Sequence, residues 1–403
     1  MYRDPDDNAM CAGAIIEKEN SMYNYNELLQ EIDSNLYLQI LLFFVCAFVT
    51  SLFLIPKIRT IAFKLNIQDL PNDRSSHSNP VPTFGGVAFY ISYIFALFFL
   101  QFFYETQVSL TLLASISFLF FTGLLDDLMS IPAKTKLLGQ FIGVAVLMSQ
   151  PDFRILDLHG FMGVYEIPLI FSVGGSMFFL LGIINAFNLL DGIDGLTATT
   201  GIIVASFYSF MFYQLGYSYY LCISITTIAT LLAFLRFNLS NKRKIFMGDT
   251  GSLSIGLVLG LLTLKLMSLG DLGSIALNFD QKQLPLLLLA ILFVPILDTS
   301  RVMLIRFMKG VSIFQPDRNH IHHIIIDFGL SHRRASFCIG VVNFSVALIM
   351  FYVIINFSMV ASVFILISIF VASITLLFLM NKNKSAVKLK RILKQVMLRM
   401  FFY

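Results

Sequence analysis

Tryptophan is missing from this sequence, and charged residues make up only 13% of it. Soluble domains carry about 25% charged and about 45–50% apolar residues, whereas 57% of this chain is hydrophobic, so the composition is that of a membrane protein. Without Trp, any aromatic belt at the membrane surfaces has to be built from Tyr and Phe. The four cysteines, Cys11, Cys46, Cys222 and Cys338, are scattered and form no CxxC pair. That spacing argues against a disulfide framework or a cysteine zinc site. A formal charge of +4, with no basic run interleaved with aromatics, argues against nucleic acid as a partner. No P-loop, GxSxG elbow or HExxH pair occurs.

Long apolar runs dominate instead. About 20 apolar residues in a helix cross the hydrocarbon core. About eleven candidates occur, at 36–56, 85–104, 109–125, 137–150, 168–187, 196–213, 217–235, 252–268, 284–300, 336–356 and 358–380. The expected fold is an all-α polytopic membrane protein. Lys and Arg gather in alternate connections (57–84, 126–136, 188–195, 236–251, 301–335 and 381–403), while the other set holds little beyond Arg154 and Lys282. By the positive-inside rule the first set is cytoplasmic, which puts the N-terminus outside and the C-terminus inside. Three regions follow. Residues 1–35 are polar and acidic, lack a basic n-region followed by an apolar stretch, and are expected to be a disordered extension, with Met22 an alternative start. Residues 36–380 form the membrane-embedded domain, and 381–403 a basic cytoplasmic tail. In that tail Leu389, Ile392, Leu393 and Val396 recur at helical spacing, which suits either an amphipathic helix on the anionic leaflet or a solvated tail.

Charged groups are expensive inside a bilayer, so their placement is informative. Here the acidic and histidine clusters sit at the ends of apolar runs, all on the side assigned to the cytoplasm. The first, 70–77, includes Asp73, Arg74 and His77 and leads to Gly85-Gly86. The second is Asp126-Asp127, with Lys134 and Lys136 following. Adjacent carboxylates repel unless a cation or proton relieves them, which suits metal binding, general-base work or a solvated cap. The third is Asn188-Leu-Leu-Asp191-Gly-Ile-Asp194-Gly195, whose hard oxygens three residues apart suit Mg²⁺ or Mn²⁺ bridging phosphates. The fourth, Phe246-Met-Gly-Asp249-Thr-Gly-Ser, opens a span and offers either an N-cap or a further metal ligand. In the fifth, Asp317-Arg318-Asn-His320-Ile-His322-His323, three imidazoles beside an Arg suit phosphate as well as metal. His159 and His332 stand alone and are expected to be surface residues.

These five clusters, in this order along a many-span chain, resemble the polyprenyl-phosphate N-acetylhexosamine-1-phosphate transferases. The Asp-Arg-Asn-His-Ile-His-His loop is most similar to that of the bacterial undecaprenyl-phosphate N-acetylglucosamine-1-phosphate transferases. The resemblance implies transfer of a HexNAc-1-phosphate from a UDP-sugar to undecaprenyl phosphate with release of UMP, at the cytoplasmic face of the inner membrane. It implies Mg²⁺, with Mn²⁺ the alternative, held by Asp249 with Asn188. Asp126 and Asp127 match the acidic pair acting on the lipid phosphate, and Asp191 and Asp194 the motif positioning nucleotide and diphosphate. Phe246 takes the place of an aromatic stacked on uracil, while Lys136, Arg318, His320, His322 and His323 match groups gripping phosphates and sugar. The stretch from Asn238 to Lys244 is one residue longer than the family pattern, so Asn238 is not carried over. N-acetylglucosamine is the expected sugar. UDP-linked FucNAc, QuiNAc or GalNAc, or UDP-MurNAc-pentapeptide, are the alternatives, and a homodimer is one assembly open to the chain. A secondary transporter is the rival class, although transporters place their key polar groups near the bilayer midplane.

Overall fold

The computed structural model describes residues 35–69, 80–269, 279–312 and 319–401. Residues 1–34 of the expected extension, the Asp73/Arg74/His77 loop and Arg318 lie outside the described residues, as do the side chains of the basic tail from 384 onward.

Long apolar runs satisfy their backbone internally only as helices, and the chain is helical almost throughout. In order these are α1 (Leu36–Lys64), α2 (Gly85–Tyr104), α3 (Val108–Met129), α4 (Ala133–Leu147), α5 (Leu169–Leu190), α6 (Leu196–Gln214), α7 (Ser218–Asn238) and α8 (Gly248–Ser268). They are followed by α9 (Leu284–Ile291), α10 (Phe293–Met308), α11 (Ile321–Asp327), α12 (His332–Asn356) and α13 (Met359–Phe401). Among the described residues nine helices are long and apolar enough to cross a membrane, and α9 with α10, bent by 72°, makes up to a tenth. The run expected to span at 137–150 is α4, only 15 residues long. At 1.5 Å per residue it reaches about 22 Å, short of the roughly 30 Å hydrocarbon core. It nevertheless runs antiparallel to α3 along its length, from Lys136 beside Asp126 to Gln150, just past its last turn, beside Thr111, so the chain passes there from one end of α3 to the other.

The bend has a local cause. Pro295 has no N–H to donate to the Ile291 carbonyl four residues back. The side chain of Asn343 on α12, fully buried, fills the gap. Its Nδ2 donates to the Ile291 carbonyl at 3.0 Å, and its Oδ1 accepts the Val294 N–H at 2.9 Å. An apolar run read from hydropathy as one straight span is thus two helices joined through a neighbour's carboxamide.

α8 is the axis of the bundle. Its whole apolar window is buried, packed by α2, α3, α5 and α6. Its N-terminal end meets α2 backbone to backbone: a Cβ on Gly86 would overlap Thr250 and Gly251. At the same end β1 (Gln68–Asp69) pairs antiparallel with β2 (Val81–Pro82), and the Pro82 carbonyl accepts the Phe246 N–H at 2.9 Å. At the far end lies the hairpin β3 (Asp157–Phe161) and β4 (Val164–Glu166). There Lys265 of α8 pairs with Asp152 at 2.6 Å. His159 Nε2 lies 2.9 Å from the Met267 carbonyl, so His159 is packed on α8 and is not the lone surface residue expected.

Asn343→Ala orphans one N–H and one C=O where no water can replace the partner, at about 1–3 kcal/mol each. A clear drop in thermal midpoint in detergent is expected, with Phe344→Ala on the exposed side of the same helix unaffected.

Candidate active site

Four helix ends converge on one cavity. Asp126 and Asp127 close α3, Asn188 closes α5, Asp191 and Asp194 lie in the turn into α6, and Asp249 opens α8. The cavity measures about 480 Å³, within the roughly 300–1,000 Å³ range of ligand sites. Asp69, Asp126, Asp127, Asp191, Asp194 and Asp249 line it, with Phe246, Asn238 and His323 on its wall.

The ammonium of Lys136 ties three of the motif side chains beside it together. That group bonds Asp126 Oδ2 at 3.0 Å and Asn188 Oδ1 at 2.9 Å, and closes a short contact on Asp249 Oδ2. Asn188 is fixed in turn, since its Nδ2 donates to Asp249 Oδ1 at 2.6 Å and to Ser252 Oγ at 2.9 Å. Three hard oxygens therefore face one cationic point. Among the described residues no three His, Cys, Asp or Glu side chains form a metal cluster. The oxygen set here is two carboxylates and a carboxamide.

Asp127 does something different from its neighbour. Its Oδ1 accepts the Asp249 N–H at 2.8 Å, while Oδ2 accepts the Thr250 N–H at 3.1 Å and hydroxyl at 3.0 Å. A carboxylate from α3 thus caps α8, where free N–H groups and the helix dipole favour negative charge. Gly248 makes room for it: φ is +72°, and a Cβ there would meet the Asp127 carboxylate. Asp249 itself is not the cap.

The two acids of the DGxDG turn also part company. Asp191 faces the cavity, and burial together with the Asp249, Asp127 and Asp194 carboxylates pushes it up to about 8. Asp194, also on the cavity wall, has cationic partners instead, 2.7 Å from Lys244 Nζ and 3.5 Å from His332 Nδ1. Against the cost of burial, hydrogen bonds from His332 and Lys244 hold Asp194 below the usual carboxylate range. His332 is thus not the isolated surface group expected. Asn238, set aside on spacing, lines the cavity and ties two motifs together. Its Oδ1 accepts the Gly195 N–H at 2.6 Å, and its Nδ2 donates to the Ile245 carbonyl at 2.9 Å. Phe246 is on the wall as expected, with Lys244 Nζ 5.1 Å from its ring centroid.

The three histidines expected at the substrate divide. His320 is buried with Nδ1 2.9 Å from Asp298 Oδ2. His322 packs its ring against Gly192, with Nδ1 unpaired among the described residues. Burial, with His323 alongside, drops it to about 3, so it is neutral near pH 7. Only His323 of the three lies on the cavity wall.

The profile of glycosyl transferase family 4 matches residues 109–267. A probable undecaprenyl-phosphate N-acetylglucosaminyl 1-phosphate transferase of Bacillus subtilis is 31% identical over 315 residues, covering 76% of this chain and 83% of its own length. The chain belongs to glycosyl transferase family 4. A decaprenyl-phosphate N-acetylglucosaminephosphotransferase of Mycobacterium tuberculosis is 30% identical, covering 73% of this chain and 78% of its own. An undecaprenyl-phosphate alpha-N-acetylglucosaminyl 1-phosphate transferase of Yersinia pestis is also 30% identical, covering 69% and 74%. In this family 4 transferase the matched segment holds the Asp126–Asp127 pair, the Asn188–Asp194 turn and Asp249, and ends before the histidine loop.

The crowding of carboxylates has a measurable sign. Asp191 binds its proton more tightly folded than unfolded, so its ionisation costs the metal-free transferase stability as pH rises from about 4 to about 8, and nothing below that window. Asp191→Asn in metal-free buffer should raise the melting temperature at pH 8 by at least about 2 °C and leave it nearly unchanged at pH 4.

Proposed function

We propose that the chain transfers N-acetylglucosamine 1-phosphate from UDP-N-acetylglucosamine to undecaprenyl phosphate, at the cytoplasmic face of the inner membrane. The observation that carries this is the convergence of Lys136, Asp126, Asn188 and Asp249 on one point beside a cavity walled by Phe246 and His323. The names of the relatives supply the acceptor class and the transferred group. The concentration of Lys and Arg in the connections on the cavity side supports the cytoplasmic orientation.

In the reaction an oxygen of the lipid phosphate attacks the sugar-bearing β-phosphorus. A new P–O–P linkage forms, the bond from that phosphorus to the α-phosphate bridging oxygen breaks, and UMP leaves. Both partners are anions, so positioning and charge compensation are the main demands. Asp249, Asp126 and Asn188 offer the all-oxygen donor set that suits Mg²⁺ or Mn²⁺, at the point where the Lys136 ammonium now stands. A bound divalent ion supplies electrostatic screening of the diphosphate. Two carboxylates and an amide would hold such an ion while leaving it open to phosphate oxygens and water.

The chain's own side chains do the remainder. Lys136 is an ammonium that can follow the phosphate charge as it moves. Asp127 holds the backbone of Asp249 and so aims that carboxylate. Asp191 and His323 face the bound diphosphate and sugar, and Phe246 offers an aromatic face to the uracil. Asp194, bonded to Lys244 and His332, sets the shape of the wall without touching substrate.

Purified protein in detergent with undecaprenyl phosphate, Mg²⁺ and UDP-N-acetylglucosamine should release UMP, and both EDTA and omission of the lipid should stop it. UMP released only from another UDP-HexNAc would change the donor, and silence with every donor would overturn the reading. Asp249→Ala should leave less than about a tenth of the rate, because a lost metal-held phosphate contact is worth several kcal/mol.

A further inference from the structure

Asp298 lies on α10, outside every motif that builds the cavity, and is 1% exposed. A carboxylate so buried is tolerated only when its lone pairs are used. One oxygen, Oδ2, is 2.9 Å from His320 Nδ1, and the other accepts the N–H of Ile321, the first residue of α11, at 2.8 Å. Arg301, one turn along α10, stands 3.6 Å from the same carboxylate and donates to the Asn319 carbonyl. A single acid with its neighbouring Arg thus grips three consecutive residues at the base of the histidine loop. From there the geometry runs ring to ring. His320 and His322 are parallel within 8° with centroids 5.7 Å apart, and His322 meets His323 at 4.3 Å.

We propose that Asp298 is a positioning residue for the transfer reaction, acting through His320 to hold His323 on the cavity wall. The proposal rests on the phosphotransfer reading given above. Asp298 commits the Nδ1 proton of His320 to itself, which fixes the orientation of the ring, as carboxylates behind functional imidazoles do. His320 is then an anchor, and His323 the member of the loop that meets phosphate or sugar.

The test uses the full chain carrying Asp298→Asn, His323→Ala or both. Asp298→Asn should lower kcat by about 10–100-fold, as the loss of an orienting partner does elsewhere. Its division between kcat and KM for the UDP-sugar should reproduce that of His323→Ala. The double variant should fall within about threefold of His323→Ala alone, since residues acting in one chain of contacts are not additive. Amide exchange of residues 319–327, read independently of turnover, should quicken at least tenfold in Asp298→Asn. Unchanged exchange, turnover within twofold of the unsubstituted chain, or losses that multiply would each overturn the proposal. If Asp298→Asn does not accumulate folded, His320→Ala takes its place in the same cycle and the same exchange measurement. A chain silent toward every UDP-sugar refutes the transfer reading, while the exchange result still decides whether Asp298 anchors the loop.

Discussion

The arrangement at this end of the bundle depends on how a concentration of carboxylates is compensated at the edge of a membrane. Asp126, Asp127, Asp191, Asp194 and Asp249 share one cavity, and they are compensated in different ways. Asp126 and Asp249 share an ammonium, Asp127 takes the positive end of α8, and Asp194 takes Lys244 and His332. Asp191 has the acidic neighbours and is pushed upward. The adjacency of Asp126 and Asp127 then makes physical sense. Successive helical residues point in different directions, so one caps a neighbouring helix while the other faces the ammonium. A site that keeps one acid under this repulsion gains from any cation or phosphate-bound cation that enters, which is what transfer between two anions requires.

The histidine loop reaches the same cavity by another route, and that route begins at a broken helix. Pro295 forces the break, Asn343 supplies the two backbone partners the break removes, and α10 sets off at 72° carrying Asp298. Asp298 then holds the start of α11. The carboxylate cluster is rigid because helix ends pack backbone to backbone, as at Gly86 and Gly251. The start of α11 is held by one buried acid.

Much of this was legible in the sequence, because the chemistry arrives in contiguous blocks. A pair of aspartates, an Asn and two Asp at spacing three, and an Asp amid small residues each announced themselves at the end of an apolar run, and all of them line or border one cavity. What could not be read was pairing. Nothing local to Asp127 says that its carboxylate will accept N–H groups 122 and 123 residues away. Lys244 and His332 carried no motif, yet they decide which way Asp194 turns. Asp298 sat in a run read only for its hydropathy, with the Pro three residues before it the one hint of a bend. Asn238 was set aside on a spacing argument. Spacing counts residues along the chain, whereas the Asn238 side chain bridges Gly195 and Ile245 across two loops. The short α4 falls below a span's usual length, yet its pairing with α3 carries the chain from the cavity to the far end.

The broken helix also bears on the rival class. Secondary transporters use discontinuous helices because the unwound backbone leaves carbonyls and N–H groups free to bind an ion or substrate at the midplane. A bent pair is present here, so on topology alone the transporter reading gains something. The break, however, is closed from within. The Ile291 carbonyl and the Val294 N–H, the groups a transported ion would need, are both taken by Asn343, and that side chain is itself fully buried. The carboxylate cluster sits elsewhere, at helix ends around a cavity of ligand size. A discontinuity whose backbone groups are spent on protein contacts is a device for aiming α10, and what α10 carries is the acid beneath the histidine loop. The same feature that would have argued for transport therefore serves the arrangement of a one-sided active site.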